Sequence, residues 1–470
     1  MPKVNDQSDV VKKLRLRWDL VDALMGGTWA MREKGDTYLH RWPRETQISY
    51  DYRLKTSTLF NAFARTVENM ASKPFSEPLK WTDIDPTVEG WFDNIDLQGQ
   101  NLQTFAHDVF RAGLTYGLTH VLIDYPRTVT SDGTLLAPTL ADERAMGARP
   151  YAVHLPPTSI LGWISEKIGG VETLTQLRIS ECVTEPDGDF ATKDVKQVRV
   201  LTPGAFQIYR MDGKSQDWAL YEEGTTSLGF IPLVTFYARR TGFMTGTPPL
   251  ADLADLNVQH WNSSSDQYAL LHVARVPIFA IIGGSEEDDI EVGAKSALKL
   301  PVGSDAKYIE HSGEAIGAGR TSLQDLEEQM RTMGAELLVA QPGDMTATQS
   351  SIDTAQAQCQ LSEMAGAFED VLDQMIDIMA AWAGLGDQGD VDVFDDFAES
   401  PITGANVGPF VAALVTMVAS DLISRETAFE EVKRYGIINP DLDWEVERAK
   451  IGDTAPALQG EAMKLDDQAA

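Results

Sequence analysis

Apolar positions recur at helical spacing through most of the first 125 residues. This pattern predicts helices over 10–24, 50–71 and 102–116. Glycine and proline mark a turn-rich stretch over 26–44, and the third helix leads into a short buried strand at 120–123. The first quarter of the chain is therefore expected to be mainly helical.

The period changes to that of strands over 150–238. Residues 173–183 and 195–202 alternate between polar and apolar side chains, and the Pro-Asp-Gly-containing segment 185–189 between them indicates a hairpin turn. Further alternating segments follow as far as residue 238. The pattern predicts an antiparallel sheet packed on helices.

A long helix is predicted after Pro248 and Pro249, because proline is favoured in the first turn of a helix. Residues spaced by three and four form one face of it: Leu250, Leu253, Asn257, Trp261, Ser264, Tyr268, Leu271 and Arg275. About 26 residues at 1.5 Å each give a helix of roughly 39 Å that ends at Pro277.

A compact segment follows, with a strand-like stretch at 278–282 and a cluster of acids after it. Gly317 and Gly319 are interpreted as a loop, since no third glycine completes a dinucleotide-binding pattern. The next helix is predicted to open at Ser322, where Ser-Leu-Gln-Asp resembles a capping box.

The stretch 341–350 carries one bulky apolar residue, so it is expected to be exposed or to line a cavity. A third long helix is predicted over 351–382 and an acidic strand over 390–397. Three short helices follow, at 407–420, 424–435 and 442–451, before a tail of disordered composition. The predicted fold class is α+β and mainly helical.

The net charge changes the functional picture. Seventy-one acids against 39 bases leave a charge of −32, which opposes general binding of phosphate polyanions. The charge fits a solvated acidic surface, or a surface that must not retain DNA. The two cysteines are far apart, the N-terminus lacks a secretory pattern, and the apolar run 409–419 is too short for a bilayer. We expect a soluble intracellular protein with no membrane partner.

No catalytic, cofactor or metal motif is found. The sequence has no P-loop, HExxH or GxSxG pattern, and its seven histidines never fall at metal-ligand spacing. Asp390, Asp392, Asp395 and Asp396 fit a cation site or an alternating edge strand, and the absence of a glycine-pinned ligand loop favours the strand. The basic group around Lys12 and Arg17 is interpreted as a solvated helix face. No catalytic residue, cofactor or metal is expected.

The order of these elements resembles the portal proteins of tailed bacteriophages. Short segments match one widespread branch of that family, and they occur at 38–39, 43–45, 52–54, 58–67, 422–427 and 432–438. These segments are packing signatures rather than catalytic ones.

The resemblance implies a set of regions by position. They are a wing of N-terminal helices and antiparallel sheet at 1–248, a stem helix at 249–276, a small α/β clip at 277–319, a second stem helix at 320–340, a tunnel loop at 341–350, a wing helix and strand at 351–404, a helical crown at 405–452 and a flexible tail at 453–470.

The resemblance also implies a function. Portal proteins form rings of twelve at one capsid vertex, the head-tail connector, and double-stranded DNA passes through the channel during packaging and ejection without sequence specificity. The implied partners are the major capsid protein, the terminase packaging motor and a tail adaptor. The chain would be assembled in the host cytoplasm and reside in the virion.

Candidate site residues follow from the same regions. The loop residues assigned to the DNA channel are Gln341, Asp344, Met345, Thr346, Thr348 and Gln349. The clip residues assigned to docking are Glu286, Glu287, Asp288, Asp289 and Glu291. Trp261, Tyr268 and Leu271, beside polar residues of the same helix face, are assigned to the subunit interface.

Two other classes remain open at this point. One is a different capsid or tail structural protein, which would lack the helix, insert, helix and loop order. The other is a cytoplasmic enzyme whose site residues are dispersed in sequence.

Overall fold

The computed structural model describes residues 3–126, 139–211, 217–275, 278–282, 305–309, 314–335, 359–395, 407–420, 422–434, 437–439 and 442–454 of the 470-residue chain. The chain divides into two compact units. The larger contains Met1–Gln341 and Gln358–Phe397, and the smaller contains Pro342–Ala357 and Ala398–Ala470.

The larger unit combines helices with antiparallel sheets. Its described helices are α1 (Asp9–Met25), α2 (Gly27–Lys34), α3 (Gln47–Thr56), α4 (Ala62–Ser72), α5 (Pro86–Glu89), α6 (Leu102–Tyr116), α7 (Leu140–Ala145), α8 (Ala251–Ala274), α9 (Glu314–Ala335) and α10 (Gln360–Trp382). Side-chain caps begin several of them: Ser8, Thr46, Asn61 and Asn101 each accept a backbone N–H of the first turn.

Its described strands are β1 (Lys80–Trp81), β2 (Leu118–Asp124), β3 (Tyr151–Leu155), β4 (Ile160–Ile168), β5 (Val171–Asp187), β6 (Ala191–Thr202), β7 (Ala205–Met211), β8 (Trp218–Thr225), β9 (Leu233–Tyr237), β10 (Arg240–Gly242), β11 (Thr245–Gly246), β12 (Ile278–Ile282), β13 (Asp305–Ile309) and β14 (Val391–Asp392). They form a five-stranded sheet in the order β4-β5-β6-β7-β8, a three-stranded sheet β3-β2-β9, and the pairs β1-β14, β10-β11 and β12-β13. All pairings are antiparallel.

Three phenylalanines join α6, β9 and α10 at the centre of the main core. The Phe236 ring lies 4.8 Å from that of Phe368 and is stacked 5.3 Å from that of Phe110. Gly113 lets α6 approach this cluster, because a Cβ there would lie 2.3 Å from the Phe236 ring. The packing of this aromatic cluster therefore requires glycine at position 113.

The smaller unit is described as three helices: α11 (Val407–Ala419), α12 (Arg425–Arg434) and α13 (Trp444–Thr454). Ser424 caps α12, since its Oγ accepts the Thr427 N–H at 3.0 Å. The Phe429 and Trp444 rings lie 5.4 Å apart and connect α12 to α13. The three short helices predicted from the sequence are confirmed.

The α+β class, the helix over 102–116 and the hairpin around 185–189 are also confirmed. Two expectations about where helices lie are wrong, namely a turn-rich stretch over 26–44 and one continuous helix over 50–71. The stretch 26–44 contains α2, and the predicted helix over 50–71 is two helices, α3 and α4, separated by residues 57–61. Asn61 caps α4 by accepting the Ala64 N–H at 3.1 Å, so a local side-chain bond starts a new helix where apolar spacing alone suggested continuity.

Candidate stem and subunit surface

Two long helices run antiparallel and are joined through a two-stranded ribbon. The 24 residues of α8 extend about 36 Å, β12 pairs with β13 from Ile278 opposite Ile309 to Ile282 opposite Asp305, and α9 then returns along α8. Gln267 Nε2 of α8 donates to the Ile316 carbonyl of α9 at 3.0 Å. Toward the other end of the pair, His260 Nε2 lies 3.5 Å from Glu327 Oε1.

The helices approach closely at Gly319. A Cβ at this position would lie 2.0 Å from the Gln267 Oε1 atom, so a larger residue here would displace the Gln267 side chain. The interpretation of Gly317 and Gly319 as a loop is wrong, because α9 begins at Glu314. The start predicted at Ser322 is wrong for the same reason, and the segment assigned to the clip ends in helix rather than in a loop.

Asn257 fixes the first half of α8 to the start of α4 and the residues just before it. Its Oδ1 accepts the Phe63 N–H at 2.9 Å, and its Nδ2 donates to the Phe60 carbonyl at 2.8 Å. On α9, Met330 is buried and Gly334 lies against Thr66 of α4. The base of the helix pair is therefore held by the rest of the same chain.

A buried ion pair attaches a further loop to α8. Arg53 Nη2 lies 2.8 Å from Glu45 Oε2, and both side chains are buried. Arg53 also donates to Ser265 Oγ of α8 at 3.2 Å, and its guanidinium lies 4.3 Å from the centroid of the Trp42 ring. Hydrogen bonding from Arg53 lowers the pKa of Glu45. Glu45 and Arg53 belong to two of the sequence segments that carried the portal resemblance, and their role here is structural.

The α8 stripe predicted to form a subunit interface is buried within the chain in its first part and more exposed in its second part. Trp261 is 0% exposed and lies in the core of its own unit, which overturns its assignment to the interface. Asn257 and Ser264 are also buried within the subunit. Tyr268 is 61% exposed, and Leu271 is half-buried. Other parts of the same chain cover the first part of the stripe, and the next two turns of α8 are left more exposed.

Exposed apolar side chains of α3 lie beside the upper part of α8. Ile48 is 84% exposed and Tyr52 is 58% exposed, and the Tyr52 ring lies 5.9 Å from that of His272. We call Ile48, Tyr52, Tyr268 and His272 the stem surface. Sequence reasoning missed the α3 residues, although Ile48 and Tyr52 are spaced by four and so share one helix face.

The channel residues Gln341, Asp344, Met345, Thr346, Thr348 and Gln349, and the docking residues Glu286, Glu287, Asp288, Asp289 and Glu291, lie outside the described residues.

The acidic stretch predicted as a strand is short. Asp392 pairs with Lys80 across β14 and β1. Among the residues that the structure describes, no group of three His, Cys, Asp or Glu side chains could hold a metal ion. The described helices include none with the length and apolar character needed to cross a membrane.

Part of the chain matches a known protein family. Residues 249–383 match a family described as a domain of unknown function (DUF4055), a span from just before α8 to just after α10. A search of the curated proteins found no match.

Similar solved structures are chains of gene transfer agent particles. One, from the virion of the native particle, is 14% identical with a TM-score of 0.38 and covers 77% of this chain and 87% of that one. One from the neck of the native particle, computed with C12 symmetry, is 15% identical with a TM-score of 0.37, and the same shares are covered. One from the neck of the empty particle, computed with C6 symmetry, is 14% identical with a TM-score of 0.37 and covers 83% of this chain and 88% of that one.

Proposed function

We propose that this chain is the portal protein of a tailed phage, one subunit of a ring at a capsid vertex through which double-stranded DNA is packaged and ejected. The observation that carries the proposal is the antiparallel pair α8 and α9, which is tipped by the β12–β13 ribbon and anchored at its base to α4. A long paired stem of this kind suits a repeated subunit, because its sides can pack beside identical neighbours.

The stem surface supports a neighbour at this position. Tyr268 and Tyr52 expose large aromatic rings in adjacent elements, and aromatic residues are enriched where protein interfaces are buried. The proposal assigns contact with the next subunit to Tyr268, with Leu271 beside it. It does not use Trp261, which its own subunit already covers.

The charge of the chain supports passage of DNA rather than retention of it. A ring of twelve subunits, each with a formal charge of −32, repels phosphate and would not grip the duplex as it moves. In this proposal residues 341–350 border the channel, and the segment 277–319 receives the packaging motor and later the tail adaptor.

The test is assembly of the purified full chain. Native mass spectrometry and negative-stain images should give rings with an axial hole and a mass many times the 51.6 kDa of one chain. Tyr268→Ala should weaken assembly by about 2 kcal/mol per interface, roughly 30-fold in the association constant.

Trp29→Ala provides a matched control, because Trp29 is an aromatic residue of α2 that is 77% exposed and lies outside the stem surface. A chain that stays monomeric at high concentration, or forms closed shells without an axial opening, contradicts the portal proposal and favours a different structural protein. Equal loss of assembly in the Trp29 and Tyr268 variants contradicts the assignment of the interface.

A further inference from the structure

Four exposed basic side chains come together where α1 meets the β10–β11 hairpin, although the chain as a whole is strongly acidic. Lys13 and Arg17 are spaced by four on α1, so they share one face of that helix. Arg239 and Arg240 lie just before and at the start of β10. We call Lys13, Arg17, Arg239 and Arg240 the basic patch. The solvated helix face predicted around Lys12 and Arg17 is therefore one part of a patch that two segments form.

Hydrogen bonds hold the Arg17 side chain beside the backbone of Arg239. Arg17 Nη1 donates to Thr247 Oγ1 at 3.2 Å, and the Thr247 N–H donates to the Arg239 carbonyl at 3.0 Å. The Arg239 N–H in turn donates to the Gly117 carbonyl at 3.1 Å. A Cβ at Gly246 would lie 2.7 Å from that same carbonyl oxygen, so glycine is required where the hairpin packs against this segment. The patch is thus fixed by the fold and does not depend on chance neighbours.

The charges of the patch face neutral groups of the chain. The Arg240 guanidinium lies 4.9 Å from the centroid of the Tyr237 ring. Asp9, one turn before Lys13 on α1, is paired with Lys12 at 3.1 Å. Among the residues that the structure describes, the four cations form no ion pair with a carboxylate. The patch therefore presents positive charge to a ligand.

The net charge of −32 does not prevent local attraction at this patch. At about 0.1 M salt the Debye length is about 10 Å, so charges farther than this from a bound phosphate are largely screened. Side chains spaced by four on a helix lie about 6 Å apart, and Arg239 and Arg240 are consecutive. The cations of the patch can therefore act together on one ligand while most of the acids of the chain are screened.

The composition of the patch suits a phosphate backbone. Three of its four cations are arginines, whose planar guanidinium can donate two parallel N–H bonds to one phosphate. The hairpin adds hydroxyl groups, since Thr241 is exposed and its Oγ1 donates to Thr245 Oγ1 at 3.1 Å. Leu16, which is 77% exposed on the same helix, is one apolar side chain and too little for the apolar centre of a protein interface.

We propose that the basic patch binds the phosphate backbone of duplex DNA, weakly and without sequence specificity. Four phosphate contacts correspond to a dissociation constant in the range of non-specific binding, about 10⁻⁶–10⁻⁴ M. The proposal is independent of the portal function. Thr247 lies just before the first turn of α8, whereas Tyr268 and His272 of the stem surface lie in its last two turns.

The probe is a fluorescein-labelled duplex of about 12 base pairs, roughly 41 Å long at 3.4 Å per pair, titrated with the full chain and followed by anisotropy. Two unrelated sequences of this length should bind equally. The logarithm of the association constant should fall against the logarithm of salt concentration with a slope of about −3.6 for four phosphate contacts. Arg17→Gln/Arg239→Gln should reduce the slope to about −1.8 and weaken binding about tenfold or more at about 0.1 M salt.

Two further double variants locate the site. Lys13→Gln/Arg240→Gln leaves the bond between Arg17 and Thr247 intact and should cause the same loss, so the test does not depend on the folding of the first variant. Lys193→Gln/Lys196→Gln is the matched control, because it removes the same charge from exposed positions of β6 outside the patch. It should keep the parent's affinity and salt slope.

Equal loss in the control and the patch variants would overturn the proposal, because it would show general attraction to the chain. An unchanged salt slope in both patch variants would overturn it as well. Polyglutamate of equal charge that competes as well as unlabelled duplex would show an acidic protein partner instead of DNA. Rings that assemble but do not bind the duplex contradict this proposal alone, and a chain that binds the duplex without forming rings contradicts only the portal proposal.

Discussion

The sharpest test of the α8 packing concerns Asn257, a buried polar residue of this helix. Its side chain is fully buried and holds both the Phe63 N–H and the Phe60 carbonyl. In Asn257→Ala the Phe63 N–H loses its acceptor in a buried position. An orphaned buried donor costs about 1–3 kcal/mol, and the lost packing adds to it, so we expect destabilisation of about 2–4 kcal/mol.

The Phe60 carbonyl should contribute little to this loss. It also accepts the Ala62 N–H at 3.0 Å, so it keeps a donor when the amide is removed. Asn257→Leu separates the loss of packing from the loss of the hydrogen bond. Leucine nearly restores the side-chain volume, but it still leaves the Phe63 N–H without its acceptor. We expect it to recover the packing contribution and to retain the hydrogen-bond loss of about 1–3 kcal/mol.

The assay is urea unfolding of the dilute, unassembled chain followed by circular dichroism, together with hydrogen exchange at the Phe63 amide. Gln259→Ala is the control, since Gln259 is exposed on the same helix two residues away and should shift stability by less than about 0.5 kcal/mol. If Asn257→Ala unfolds at the parent's urea midpoint and keeps the Phe63 amide protected, the hydrogen-bond argument is refuted. A variant of unchanged stability that fails only to assemble would instead return Asn257 to the subunit interface.

Two further predictions concern buried charge. Glu45→Ala should destabilise the chain by about 3–5 kcal/mol because Arg53 loses its buried carboxylate partner and keeps only the more distant, exposed Asp266. A double-mutant cycle with Arg53→Met should show strong coupling, whereas the exposed Glu328→Ala should change little. Additive effects of the two core changes would contradict the ion-pair role. Burial lowers the pKa of His120 to about 3 in the folded chain, whereas a histidine in the unfolded chain has a pKa of about 6.5. As the pH falls below about 6.5, the unfolded chain therefore binds the proton first. The free energy of unfolding decreases from about pH 6.5 toward pH 3. Replacing His120 with Gln should reduce the slope of stability against pH by about 1.4 kcal/mol per unit between pH 6 and 4, and parallel curves for parent and variant would show that His120 does not contribute.

The portal resemblance and the position of α8 followed from local patterns. Spacings of three and four identified α8 to within two residues of each end, and alternation identified the hairpin of β5 and β6. These elements can be predicted because helix and strand periodicity shows which side chains face a core, and it does so regardless of which elements form that core.

What covers each face was decided by the tertiary structure. Trp261 and Tyr268 share a helical stripe, yet one is fully buried and the other mostly exposed, because α8 extends past the body that covers its first half. Gly319 is interpreted as a loop residue from the sequence and proves to lie within α9 against the Gln267 side chain of α8, which only the packed pair reveals. Arg199, Glu222 and Trp382 are far apart along the chain and carry no local signal, yet all three line one cleft, because strand register places Arg199 and Glu222 on one wall and the end of α10 places Trp382 on the other. Periodicity determines that a face is buried, but the identity of its partner depends on long-range packing that no short segment encodes.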